Sequence, residues 1–256
     1  MNHLYGYRDL LTYRVLFEAK KDARQLYMGA LWWVLEPAAQ IAVLYLVFGI
    51  LMQRGGPGFV GFLVVGFVFW RWFDSSCKKG MQAMMSAKPI LTQVKLPAWL
   101  FPVTDILSVA IRFVVILSLL IAFAVLYSGQ FGSAYLMLPP LLILNLLLVL
   151  SIGTLFATIT PFFPDSTKIV ENLFTLLFFS SGIFYDISQM GERASELLYL
   201  NPVAVLLSSY RGIMLQNEAP SPDMFLRISL AVAITFTLAV LVYRRARPGM
   251  AKALLR

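Results

Sequence analysis

The sequence predicts an all-α integral membrane protein with six transmembrane helices, an N-terminal amphipathic interface helix, and an outer re-entrant helix pair between helices 5 and 6. Two observations predict it. Six apolar stretches occupy residues 31–52, 59–77, 98–127, 134–163, 169–185 and 225–243. A hydrocarbon core of ~30 Å requires about 20 mostly apolar helical residues, and each stretch meets or nearly meets that length. Lysine and arginine, moreover, gather in alternate gaps. Arg8, Arg14, Lys20, Lys21 and Arg24 precede the first stretch, and Lys78, Lys79, Lys88 and Lys95 separate the second from the third. Lys168 follows the fourth, and Arg244, Arg245, Arg247, Lys252 and Arg256 follow the sixth. The opposite gaps hold only Arg54, Arg193 and Arg211. Positive charge stays cytoplasmic, so both termini are expected inside, which demands an even number of crossings.

Residues 4–28 read as a helix lying on the membrane. Tyr7, Leu11, Val15, Ala19, Ala23 and Leu26 recur at spacings of three and four, with Arg8, Arg14, Lys21 and Arg24 facing elsewhere. The alternative is a segment whose basic residues only set orientation. The gap 53–58 (Gln-Arg-Gly-Gly-Pro-Gly) is a tight turn, and 128–133 is equally short. In the third stretch Asp105 and Arg112 lie seven apart, on one helix face. A charge at mid-membrane costs ~3 kcal/mol against roughly 0.5 gained per Leu, Ile or Phe. The cheaper arrangement takes 107–127 as the core, leaves Asp105 at the inner interface and lets Arg112 reach towards it; a coupling-ion site is the alternative. Residues 78–97 read as a cytoplasmic coupling loop whose Met81, Met84, Met85, Ile90, Leu91 and Val94 form an apolar stripe. Such a stripe needs a groove on a partner, or else the inner leaflet. In the outer segment 186–223, Asn201-Pro202 breaks the apolar run 197–215 into pieces too short to cross. It reads as two short helices, 189–200 and 203–215, dipping into the outer leaflet. Non-helical backbone at that depth must be buried in protein or line a wet cavity, so the element implies a pathway.

With 59% hydrophobic and 13% charged residues and a mean hydropathy of +0.77, residues 1–256 form a single transmembrane domain. The net charge of +8 sits at span ends, where orientation and anionic headgroups account for it, so no nucleic-acid partner is expected. The lone Cys77 excludes a disulfide within the chain. Residues 1–28 are polar and basic without an apolar core, so no cleavable signal is expected and the first span inserts itself. No phosphate-binding loop or Gly-Lys dipeptide occurs, His3 is the single histidine, and no cluster has metal-ligand spacing. The chain is therefore read as non-catalytic, with no cofactor and no metal, and its energy must be delivered from outside.

Four stretches carry a family resemblance. Met28-Gly29-Ala30-Leu31-Trp32-Trp33-Val34-Leu35-Glu36-Pro37 resembles a Leu-Gly-x-x-Trp-x-x-Leu-x-Pro start to the first span. Ile90-Leu91-Thr92-Gln93-Val94-Lys95-Leu96-Pro97 with Phe101-Pro102 looks like an inner docking loop, and Phe163-Pro164-Asp165 with Lys168 like a second inner turn. Asn201-Pro202 with Tyr210-Arg211 matches an outer re-entrant segment. Together they resemble the permease subunits of ABC transporters that export bacterial surface polysaccharides: O-antigen, capsule and teichoic acid. Many O-antigen and teichoic members carry Arg-Asp where this chain has Pro164-Asp165, and Glu36 before Pro37 and the short gap 53–58 are capsule-like, so capsule is favoured.

The resemblance implies a homodimer in the bacterial inner membrane, served by two copies of a cytoplasmic ABC ATPase and carrying a lipid-linked polysaccharide outward. It also leaves room for periplasmic and outer-membrane export proteins. Leu91, Val94, Lys95 and Asp165 would couple to the ATPase, and Asn201, Pro202, Tyr210 and Arg211 would form the outer gate. Sugar rings pack their C–H faces on aromatic planes, which singles out Tyr45, Phe179, Phe184, Tyr185 and Tyr199 as the channel candidates. Three rival readings stay open. A permease for another lipid or a small molecule shares every feature but the width and lining of the path. An ion-coupled secondary transporter would use Asp105, Arg112 and Glu36, with an inverted repeat. A membrane transferase would have to use the outer Asp186, Glu192 and Glu196.

Overall fold

The computed structural model describes residues 9, 11–20, 29–53, 56, 58–91, 93 and 96–255, with backbone alone at residues 30, 251, 252, 254 and 255. Among them the chain is all helix and turn. Residues 11–20 form α1; Trp32–Leu44 forms α2, prolonged by a π-helical stretch, Tyr45–Leu51. Then come α3 (Phe59–Ser86), the single turn α4 (Lys88–Leu91), α5 (Leu100–Ser128) and α6 (Leu138–Ile159). After them stand α7 (Ser166–Ser180), α8 (Glu192–Leu198), α9 (Pro202–Arg211, extended by Gly212–Gln216) and α10 (Pro222–Leu255).

Among the described residues, five helices are long and apolar enough to cross a membrane: Trp32–Leu51, Phe59–Ser86, Leu100–Ser128, Ser133–Ile159 and Pro222–Met250. The expected fifth span is the short one. Its 15-residue α7 reaches only about 22 Å at ~1.5 Å per residue. Two features stop it. Ser180 and Ser181 both donate their hydroxyls back to the Leu177 carbonyl, at 3.3 and 2.6 Å, and Gly182 takes φ +69°, which a side chain would oppose.

α3 is the axis of the bundle. It packs along α5 and α6 and against α9, burying Leu63, Phe69, Phe73, Met81 and Met84 completely or nearly so. α10 lies on α6, while α2 and α7 sit on the periphery against α3. At the end of the bundle that carries most of the basic residues, Met84, Ala157 and Met250 form one cluster and Ala83, Ala87, Leu100 and Phe101 another.

Within the expected coupling loop 78–97, α3 continues past the end of the expected second span at 77 and runs through the two lysines to Ser86. Lys78 pairs with Asp74 one turn earlier at 2.7 Å, so its charge is offset within the helix rather than ending it. Met81 and Met84 are therefore buried in the chain's own core, and among the described residues of the expected stripe only Met85 and Ile90 are exposed. Val94 and Lys95 lie outside the described residues. The interface helix also differs from expectation. Val15 and Ala19 are buried and Leu11 packs on the Leu100–Phe101 cluster, so the described part of the expected apolar stripe faces protein. A second apolar surface, Tyr13, Leu16 and Phe17, faces outward. Arg14 locks this docking, its guanidinium 4.1 Å from the Phe101 ring and 3.7 Å from Asp105. Arg112 lies over Trp33 at 5.9 Å. The remaining residues of 4–28, Tyr7, Ala23 and Leu26 among them, fall outside the described set.

α8 and α9 lie close to the expected short helices. Asn201 caps α9, its side-chain Oδ1 accepting from the Val203 N–H at 3.0 Å, and Pro202 fills the first helical position. α9 is buried along nearly its whole length, from Val203 to Arg211.

Candidate functional site

At the end opposite the basic residues, the start of α3, the end of α5 and the segment after α7 enclose a vestibule of about 740 Å³. Phe59, Phe62, Tyr127, Phe184 and Tyr185 supply rings to it, and Asp186, Gln189 and Gln216 supply polar groups. Local chemistry fixes each ring. Phe184 stacks on Phe48 at 4.4 Å and 9°, with Phe179 and Tyr185 edge-on to it. The Tyr185 hydroxyl donates to the Phe179 carbonyl at 2.8 Å. Asp186 opens a turn in which one carboxylate oxygen accepts from the Ser188 N–H at 2.9 Å and its hydroxyl at 2.7 Å. The other oxygen accepts from Gln189 Nε2 at 3.2 Å.

Behind the vestibule wall, Arg211 joins three segments distant in sequence. Its Nε donates to the Phe62 carbonyl at 3.0 Å, Nη1 to Gly182 at 2.8 Å and Nη2 to Ile183 at 2.9 Å. The guanidinium lies 3.5 Å from the centre of the Phe62 ring, so hydrogen bonding and cation–π contact act together. Burial pulls its pKa down to about 9, against an opposing pull from Asp186, and it is a cation at pH 7. Gly66 makes the space: a Cβ there would stand 2.7 Å from the guanidinium carbon. Beside it Tyr210 stacks on Phe69 at 3.6 Å and donates to the Leu141 carbonyl at 3.2 Å. Asn201 ties the other end of α9 to α7, donating to the Ser181 hydroxyl at 2.8 Å.

Of the five channel candidates, Phe184 and Tyr185 line the vestibule. Tyr45 begins the π-helical stretch 6.4 Å from Phe59, and Phe179 is 56% exposed beside Phe184. Tyr199 packs on the main core, as Phe184 does, but is not among the residues that line the cavity. Leu91 bridges the two clusters at the basic end. Asp165 precedes α7, its carbonyl accepting from the Lys168 and Ile169 N–H groups at 3.1 and 3.3 Å.

Sequence reasoning missed a second concavity. A groove of about 500 Å³ runs between α2, α3 and α7, walled by Phe67, Trp70, Phe174 and Phe178 and reaching Arg71, Asp74 and Lys78. Arg71 pairs with Glu36, tying the exposed α2 to α3. A signal existed: two opposite charges in neighbouring spans, each costly unless paired. Gly66 and the vestibule role of Phe62 carried no such signal.

The family pattern described as ABC-2 type transporter matches residues 15–215, taking in the vestibule rings, Arg211 and the groove. The chain belongs to the ABC-2 transporter membrane family. An O-antigen export system permease protein of Myxococcus xanthus, RfbA, is 29% identical over 99% of this chain and 98% of its own length. A Klebsiella pneumoniae protein of the same name is 24% identical over 85% of each. The polysialic acid transport protein KpsM of Escherichia coli is 23% identical over 94% of this chain and 95% of its own. This ABC-2 chain is thus a multi-pass membrane protein, with relatives named for O-antigen export and for polysialic acid transport.

Proposed function

We propose that this chain is the membrane-channel subunit of an ATP-driven exporter of lipid-linked surface polysaccharide. The observation that carries the reading is the end-to-end alignment with export permeases named for such polymers. The aromatic vestibule supports it, because its rings offer flat apolar faces to sugar C–H groups, with Asp186 the one charged side chain among its described lining residues. The capsule-like features at Glu36 and the short turn stand beside relatives of both kinds, so the reading takes capsule or O-antigen as the substrate class. Glu36, Asp74 and Asp105 each have a cationic partner, an arrangement that favours structural charges over ion coupling. The exporter is a homodimer with two separate ABC ATPases in the bacterial inner membrane. The basic end is cytoplasmic, α7 with its continuation makes the sixth crossing, and α8–α9 is the outer re-entrant pair. Closing ATPases push the two inner turns, and the rigid helices carry that motion to the vestibule.

The deciding experiment disrupts the gene in its own host. Surface polysaccharide should disappear while lipid-linked polymer accumulates inside, and re-expression should restore it; unchanged surface polymer sinks the reading.

Two further outcomes follow from it. In a Cys77→Ser background, single cysteines at Ser188 and Ser221 should both label with an impermeant thiol reagent from outside. Labelling of one alone would mean an odd number of crossings. Replacing Leu91 and Val94 by Asp should abolish co-purification of the ATPase beyond any loss of inserted permease, which is measured alongside because Leu91 also packs on the chain's own clusters; an unpaired charge in a packed interface costs roughly 3–5 kcal/mol. Retained co-purification with full export would move the docking site elsewhere, and Met85 with Ile90 would be the next surface to test.

A further inference from the structure

We infer that the vestibule is a glycan subsite that accepts uncharged or amino-bearing sugars and discriminates against acidic ones, with Asp186 as the specificity-determining group. The inference rests on the export reading above and names the class of polymer. The cavity's 740 Å³ has the size of a pocket for a drug-sized ligand, enough for more than one sugar ring. Its rings offer flat apolar surface to sugar C–H faces, and Gln189 and Gln216 offer amides to hydroxyls. The charge decides between glycans. Asp186 is held rigid by Ser188 and Gln189, which use three of its roughly four acceptor positions. A hydroxyl or an ammonium can donate to what remains; the carboxylate of an acidic sugar can only be repelled.

The surroundings reinforce this sign. Residues 186–218 add Glu192, Glu196 and Glu218, all exposed, against Arg193 and Arg211. Arg211 offsets part of the field but is spent on three carbonyls beneath Phe62. Among the described lining residues no cation faces the cavity.

The test uses the full chain in nanodiscs of zwitterionic lipid and saturation-transfer NMR with three tetrasaccharides: a mannose tetramer, a glucosamine tetramer and a sialic acid tetramer. The neutral and amino forms should bind at least tenfold more tightly than the sialic acid form. Asp186→Asn, which keeps an acceptor for the Ser188 N–H, should narrow that ratio to about threefold or less. A Glu192→Gln/Glu196→Gln variant, remote from the ring contacts, should narrow it in the same direction. Raising salt to 0.5 M should do likewise, through screening. Equal binding of the sialic acid tetramer to the unaltered chain, or a ratio unmoved by both variants, overturns the inference. Binding of none of the three overturns the subsite. Export itself is decided by the gene disruption, so the two failures are distinguishable.

Discussion

Replacing Gly66 by Ala should remove most of the folded protein from the membrane, nearly as effectively as replacing Arg211 by Met. A methyl group at Gly66 would occupy the guanidinium's place, and Arg211 cannot yield without releasing carbonyls on two other segments. Hydrogen bonds to a charged group are worth ~1.5–3 kcal/mol each, and each orphaned carbonyl adds its own desolvation cost. Losing two or three of them approaches the ~5–15 kcal/mol that holds a typical domain together. Arg211→Lys should be intermediate, because an ammonium keeps the charge but has no planar fork to span three acceptors. The measurement is the monodisperse fraction in detergent, with the midpoint of thermal loss. The diagnostic is the double variant: Gly66→Ala adds nothing once Arg211→Met has emptied the site, so the effects should be strongly non-additive. Additive losses would mean that Gly66 matters through some contact other than Arg211.

The contrast between Arg211 and the apolar spans explains what the sequence could reveal. Hydropathy is local, so a run such as 134–163 declares its environment without reference to the rest of the chain. Its failures are also local. The lysines at 78 and 79 lower a window average, and α3 was expected to stop there, although Asp74 on the preceding turn already answers Lys78. Ser180, Ser181 and Gly182 leave the apolar run 169–185 continuous in composition while ending α7 in structure. The site behaves differently. Tyr210 and Arg211 are marked in the sequence only by the resemblance of the outer segment, and their partners lie 69, 149, 29 and 28 residues away and are backbone carbonyls. Every residue has a carbonyl, so no pattern marks those four. Phe184 and Tyr185 could be singled out as aromatics near an outer turn, but no periodicity separates them from Tyr199, which packs on the same core without lining the cavity.

The largest effect on transport should come from stripping the exposed and half-buried rings at and beside the vestibule. Tyr45, Phe179 and Tyr185 are the ones to remove. Phe184 is better left in place, because its stack on Phe48 makes its loss a packing defect of ~3–5 kcal/mol. A base stacked on an aromatic ring is worth ~1–3 kcal/mol on single-stranded nucleic-acid tracks, and a sugar ring should sit at the lower end. One alanine substitution should therefore slow export about fivefold. Three together should reduce it by a hundredfold or more, since ~1.4 kcal/mol is a factor of ten. Tyr199→Ala serves as the internal comparison: it should lower the amount of folded permease and leave export per folded molecule unchanged. Basal ATP hydrolysis by the assembled complex should persist throughout, because these rings stand at the end remote from Leu91 and Asp165. Surface polysaccharide is measured per membrane-inserted permease. If that quantity stays flat through the triple variant, the vestibule rings are packing. The groove between α2, α3 and α7, with Trp70 and Phe178 in its wall, then becomes the surface on which a polymer must be sought.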